Sequence, residues 1–313
     1  MARNPRWLLI FLLLLVLPGC APAMPVTGSS SGDLLASIQQ RGTLVIAAET
    51  DFPPQSQLVE DAQRAENTRC EQTAYTANQL TGFDIDVAVE ISRRLGVEPC
   101  FVTPAWSQLI AGNWAGLWDI SVGSMVITPE RMEKLYFTQP YTSGAAVLFV
   151  HKDNSVYKEI GDLSEKRIGV CAGCAYESYL RGNLVIPGQT IQYAIQNAQV
   201  FGYDTDTSAL ADLARGDGLE LDAVITDPDT GLAAIQDGLP IKQLGEPIYR
   251  DFVAAAIDKK SSSDSLPLAR RVSEIIQEMH RDGKLKELSI HYYGADFTTP
   301  AASFDIHALG QLP

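Results

Sequence analysis

Short apolar runs rich in β-branched residues alternate with amphipathic segments along most of this chain, and that alternation constrains its fold more than any other feature. Strand-like runs lie at 43–48 (TLVIAA), 100–103, 120–125, 135–138, 145–150, 167–171, 222–226 and 252–257. Helical patterns fall between and after them, at 82–95, from about 107, and at 176–180, 207–215 and 266–281. In the last of these Val272, Ile275, Ile276 and Met279 share a face, and Asp282-Gly283 supplies a stop. Strands separated by helices argue for parallel sheets covered by helices, an α/β class. The stretch 51–81 is long and polar, and 301–313 reads as a loose tail.

The first twenty residues carry an address. Arg3 and Arg6 precede an apolar run of eleven residues, 7–17. A bilayer span needs roughly 20 apolar residues, so this run has the layout of a secretory signal instead. It ends Leu17-Pro18-Gly19-Cys20, which resembles a lipobox, with Pro18 unusual for its place. Read so, Cys20 is lipidated and becomes the mature N-terminus; the alternative is ordinary cleavage near 21–23. Both put the mature chain outside the cytoplasm. Residues 21–32 (APAMPVTGSSSG) have the composition of a flexible tether.

Removal of 1–19 takes away two arginines and no acids, which moves the formal charge from −14 to −16. So acidic a body lacks the clustered Lys and Arg that nucleic acid demands. About 280 residues remain, more than one core comfortably serves and suited to two lobes. Cys20 aside, Cys70, Cys100, Cys171 and Cys174 make an even number for an oxidising compartment. The CxxC at 171–174 alone is compatible with a disulfide, a redox pair or half a zinc site. There is no second CxxC, and the histidines at 151, 280, 291 and 307 are scattered. No metal and no cofactor are expected.

Residues 82–94 read GFDIDVAVEISRR. Phe83, Val87, Ile91 and Leu95 form one stripe of a helix, and Asp84 and Asp86 suit the positive end of its dipole. The order G-aromatic-D-aliphatic-D-aliphatic, running into a helix, resembles the signature of bacterial extracellular solute-binding proteins of the amino-acid type, the capture subunits of ABC importers. A second block, 106–141 (WSQLIAGNWAGLWDISVGSMVITPERMEKLYFTQPY), resembles the same family's run of aromatic, LI, Asp, small residues, T-x-x-R and F-[ST]-x-P-Y. The likeness extends over nearly everything from 43 to 294.

That resemblance implies a two-lobed periplasmic-binding-protein fold (type II), each lobe a mostly parallel sheet flanked by helices. It implies the following organisation: 1–19 signal, 20–40 lipidated Cys and tether, 41–143 plus 252–300 lobe 1, 144–251 lobe 2, and 301–313 tail. The two crossings fall near 142–146 and 249–251. Sequence proximity and lobe membership then pair Cys70 with Cys100 and Cys171 with Cys174. The first bridge pins the long 55–81 insertion.

The resemblance also assigns roles. Arg131 is to grip the ligand α-carboxylate, where a planar guanidinium gives two parallel hydrogen bonds; the plain alternative is a surface pair with Glu130 or Glu133. Ser124 and Val126 are to offer groups to the same carboxylate, Val126 standing where the family commonly has Ser or Thr. Asp227, ending DAVITD, is to hold the ammonium, although Asp227-Pro228-Asp229 also reads as a turn. Phe52 and Trp106 are to cover the ligand side chain. Glu49 is to face its far end, which favours a cationic or polar amino acid, arginine first. Ala175 follows Gly173-Cys174, where the family usually shows Gly-Thr-Thr before a helix. The expected protein is thus a binding protein and not an enzyme. It is a lipid-anchored monomer outside the cytoplasm, with a free amino acid and an ABC permease as partners. The competing readings are a dehydratase on this fold, with Glu49 or Glu177 as acid or base, and a sensor for a separate receptor.

Overall fold

The computed structural model describes residues 32–312, and Met1 alone before them. The signal segment, Cys20 and most of the tether therefore lie outside the described residues. In chain order the elements begin α1 (Leu34–Arg41), β1 (Thr43–Ala47), β2 (Asp51–Phe52), β3 (Ser56–Leu58), β4 (Tyr75–Thr76), β5 (Leu80–Thr81), α2 (Phe83–Leu95) and β6 (Glu98–Val102). Next come α3 (Trp106–Ala111), β7 (Ile120–Ser121), α4 (Pro129–Lys134), β8 (Leu135–His151), β9 (Arg167–Cys171), α5 (Ala175–Leu180), β10 (Gln199–Tyr203) and α6 (Asp206–Leu213). The last are β11 (Ala223–Thr226), α7 (Pro228–Gln236), β12 (Ile241–Asp258), α8 (Leu266–Arg281), α9 (Lys284–Tyr293) and α10 (Thr299–Ala302). Among the described residues no helix is long and apolar enough to cross a membrane.

Nine strands form one ladder, β10-β9-β11-β8-β12-β7-β1-β6-β4, and β2-β3-β5 form a small second sheet. Two parallel trios, β7-β1-β6 and β10-β9-β11, flank a central antiparallel pair, β8 and β12. The two long strands belong to both halves of the molecule, which is how two α/β lobes share one chain. The sequence suggests two separate strands at 135–138 and 145–150, with Pro140, which cannot donate to a ladder, between them. The strand nevertheless runs through. Pro140 lies opposite Ala254, where the register with β12 shifts on both sides.

The α2 stripe packs as its spacing predicts, with Phe83, Val87 and Ile91 fully buried and Leu95 nearly so. Gly82 is obligatory. Its φ is +135°, and a Cβ there would stand 2.2 Å from the Gln55 carbonyl oxygen. On α8 the face of Leu268, Val272, Ile275, Ile276 and Met279 is entirely buried. Both disulfides are present, with Cα–Cα distances of 5.4 Å for Cys70–Cys100 and 5.5 Å for Cys171–Cys174.

Two expectations are corrected. The range 20–40 is not all tether, since α1 occupies Leu34–Arg41 with Asp33 capping the Leu35 N–H and Gly42 left-handed at its end. The segment 301–313 is not a loose tail over its described residues. Ala301 and Ile306 are fully buried, and Phe304 packs on Phe252 at 4.6 Å between ring centroids. Gln139 Nε2 donates to the Ala301 and Phe304 carbonyls, and the Phe137 N–H donates to Gln311 Oε1. The hydrogen-bonded partners lie 162, 165 and 174 positions apart, so no local pattern reports them.

Candidate functional site

The site lies between the β-strand ends of the two halves. Arg131, in the first turn of α4 below its Thr128 cap, is buried rather than paired at the surface. The neighbouring Glu130 lies instead 3.6 Å from Lys134. Arg131 Nη1 donates to the Val126 carbonyl at 2.9 Å and Nη2 to the Gly173 carbonyl at 3.0 Å, across the cleft. The Trp106 ring lies 5.1 Å from the guanidinium carbon. A guanidinium has five N–H donors, so Arg131 keeps a free donor on each terminal nitrogen. Desolvation lowers its pKa to about 10, still charged at neutral pH.

Phe52, Ser124, Val126 and Tyr176 line two adjoining chambers of about 50 and about 40 Å³. The first contains Asp227, Asp229 and Asp251; the second contains Glu49, Trp106, Arg131, Ala175 and Asp206. A wider pocket of about 330 Å³ continues from Glu49 and Trp106 towards Asp51 and Asp204. Every residue expected to bind ligand therefore lines one connected region, and the fold brings them together from separate stretches of chain at 49–52, 106, 124–131, 175 and 227. The inner chambers hold little more than a few waters. Cross-cleft contacts close them: Gln55 Nε2 to Asp227 Oδ1 at 3.2 Å, Thr230 to Gln55 Oε1 at 3.3 Å, and Thr207 to Asp51 Oδ2 at 2.5 Å.

Ser124 is not a bare donor. At φ +46° its hydroxyl donates to Asp84 Oδ2 at 2.8 Å, and its N–H donates to the Tyr141 hydroxyl at 3.1 Å. Tyr141 in turn donates to Asp84 Oδ1. Asp84 is completely buried beneath the site, so it does more than favour a helix dipole; burial pushes its carboxyl up to about 6 against these hydrogen bonds. Asp227 caps α7 and accepts the Asp229 N–H at 2.9 Å, so its turn reading and its place in the cleft hold together.

Acids dominate the electrostatics. Desolvation is the first cause at each, raising Glu49 to about 8, Asp206 to about 7 and Asp251 to about 7, and Asp227 well above the carboxylate range. Asp206 is the next contributor at Glu49. Arg131 is the one Lys or Arg among the described residues that line these chambers. Asp206 Oδ1 and Asp251 Oδ1 are buried without a hydrogen-bond partner. Carboxyls so placed favour an incoming cation over water they no longer reach.

Sequence reasoning missed Gln55, Asp84, Asp206 and Asp251. Asp206 stands where any first-turn acid would stand after a Thr cap, and only the approach of α6 to β2 gives it a cleft-facing role. Among the described residues no three His, Cys, Asp or Glu side chains are placed to hold a metal ion.

The model of the bacterial extracellular solute-binding proteins, family 3, matches residues 66–295. The L-cystine-binding protein TcyJ of Escherichia coli (strain K12) is 29% identical over 279 residues, covering 88% of this chain and 91% of that protein. ABC transporter arginine-binding protein 1 of the same strain is 26% identical over 224 residues, 69% of this chain and 83% of that one. The structure is similar to that of an ancestral arginine-binding protein bound to arginine, with a TM-score of 0.65 and 26% identity over 81% of this chain and 99% of that one.

Proposed function

Because this chain belongs to the bacterial extracellular solute-binding proteins of family 3, we propose that it captures a free amino acid bearing a second cationic centre and delivers it to an ABC permease. The observation that carries this reading is the cleft's charge pattern: Arg131 as the lone lining cation, with Asp227 on one side and Glu49 with Asp206 on the other. In the binding event the two free Nη donors of Arg131 take the α-carboxylate. Asp227 takes the α-ammonium, exchanging Gln55 for it. Phe52 and Trp106 flank the side chain, and Ser124, Val126 and Ala175 complete the wall around the carboxylate. Glu49 and Asp206 meet the distal cation.

Arginine is the first ligand to test, since its guanidinium suits two carboxyls and an aromatic face. L-cystine is the second reading. It too carries two ammonium groups, the relative TcyJ is named for it, and the wider pocket beyond Glu49 offers length. Closure turns on the crossings near 142–146 and 249–251, where Gly144 pairs with Asp251 in the β8–β12 ladder, with lobe 1 at 41–143 plus 252–300 and lobe 2 at 144–251. Ligand contacts from both lobes stabilise the closed state. Lipid on Cys20 and the tether that follows hold the monomer near its permease; mass spectrometry of the mature N-terminus checks that anchor.

Calorimetry with the twenty amino acids, L-cystine and small polyamines tests the function. The expected result is micromolar or tighter binding of arginine or cystine with weak binding of neutral residues. Binding of none of them overturns the reading, and turnover of a cyclic acid in place of binding would support the dehydratase alternative.

A further inference from the structure

The Cys171–Cys174 bridge closes a four-residue ring directly in the cleft wall, and both cysteines line the chamber that contains Arg131. Within that ring lies Gly173, whose carbonyl accepts Arg131 Nη2 from the opposite lobe. Gly173 has φ +76°, and its N–H donates to Glu177 Oε2 at 2.7 Å. Its Cα faces Ile110 so closely that a Cβ would stand 2.8 Å from Ile110 Cδ1. The Ala172 N–H donates to the Tyr203 carbonyl at 2.9 Å, and the Cys174 N–H to the Cys171 carbonyl at 3.3 Å. The ring is therefore fixed to its own lobe and presents one carbonyl to the partner lobe's arginine.

We infer that the Cys171–Cys174 disulfide is a positioning element for ligand capture: it fixes the Gly173 carbonyl, which orients the Arg131 guanidinium, so that ligand affinity depends on the redox state of this bridge. A Gly-containing loop without a covalent closure samples many backbone states, and the carbonyl direction is then averaged. Arg131 loses its second anchor and its free donors are no longer aimed. Reduction leaves two thiols in the wall: an external dithiol gives two electrons and two protons and closes to its own disulfide, whereas a phosphine gives the two electrons, water gives the protons and an oxygen, and the phosphine leaves as its oxide. Cys171 is almost fully buried and Cys174 half-buried, so a small reductant reaches the bridge by way of the cleft. The affinity effect rests on the reading that Arg131 holds the ligand; the ordering of Arg131 does not.

The test compares the wild type, C171S/C174S and C70S/C100S, the last removing a bridge outside the cleft. Titration with arginine and with L-cystine should show roughly tenfold weaker binding for C171S/C174S, the scale of one hydrogen bond to a charged group. C70S/C100S should bind within about twofold of wild type on the same scale, even where its melting temperature falls. Equal affinity of wild type and C171S/C174S overturns the inference. Nitrogen-15 NMR of the Arg131 guanidinium in ligand-free protein supplies a second readout. Hindered rotation about Cζ–Nη2 in the wild type and free rotation in C171S/C174S support it, whereas the same rotation in both overturns it, even where no amino acid binds and the functional reading has failed. Should C171S/C174S not fold, the same spectrum is recorded on C70S/C100S before and after phosphine reduction, with the same two outcomes.

Discussion

At the scale of single residues, the division of labour at Arg131 is the central feature. Two of its donors are spent on backbone carbonyls, at Val126 and Gly173, and these fix a planar group that would otherwise rotate. Lysine offers charge without a fork, so Arg131→Lys should fold normally yet bind its amino acid about 10- to 100-fold more weakly, the cost of about one charge-assisted hydrogen bond. Calorimetry on the two proteins decides it. Asp206 offers a separate test. Its Oδ1 is buried and unpartnered, and its nearness to Glu49 is felt in the Glu49 pKa. Asp206→Asn keeps the shape and removes the charge. Affinity for arginine should fall about tenfold while that for a neutral amino acid stays level or rises, a change in ratio that a general packing defect cannot produce.

Elements show how the site is supported from beneath. Helix α2 carries Asp84 under the floor of the cleft, where Ser124 and Tyr141 share its two oxygens. A second example is the seat of α7 on β8. Gly231 lies over Phe149, and a Cβ there would stand 1.9 Å from the ring. Both are buried among side chains of the second lobe, so the ring has nowhere to go. Gly231→Ala should therefore destabilise by about 1–3 kcal/mol or more through overpacking. Thermal or urea unfolding measures it, and an unchanged midpoint would refute the close packing. The Cys70–Cys100 bridge spans 30 positions and ties the 55–81 insertion to β6. Arg64 adds hydrogen bonds to the Ala74, Cys70 and Glu71 carbonyls. A loop of this length makes the bridge worth about 3–4 kcal/mol on a chain-entropy scale.

For the whole molecule, the buried acids link binding to pH. Glu49, Asp206 and Asp251 have folded pKa values of about 8, about 7 and about 7, all above those of an unfolded chain. Where the folded form holds more protons, stability falls as pH rises. These groups thus stabilise the empty protein below about pH 4 and lose that contribution progressively as pH climbs through their folded values to about 8. A cationic ligand prefers the ionised carboxyls, so binding must release protons. Arginine affinity should rise between pH 6 and 8, with heats at pH 6.5 that vary with buffer ionisation enthalpy; buffer-independent heats would show that these acids do not face the ligand. The segment after Gly294 is a further whole-molecule element, because Gln311 and Ala301 complete the hydrogen bonding of β8. Truncation at 295 should lower the melting temperature by several degrees even though the family match ends there.

The sequence by itself determined the α/β class, the period of α2 and α8, the stop at Asp282-Gly283, and the family, because these follow from local spacing or contiguous motifs. It also brought Arg131, Asp227, Phe52, Trp106 and Glu49 forward, since each lies in or beside a recognisable block. Tertiary structure alone decided that β8 passes through Pro140, that the last residues pack into the body, and that Asp84, Asp206, Asp251 and Gln55 belong to the cleft. The physical reason is separation along the chain. Gln55 reaches Asp227 over 172 positions and Gln139 reaches Ala301 over 162, and neither the desolvation that shifts a carboxyl nor the register that excuses a proline exists until those distant segments meet.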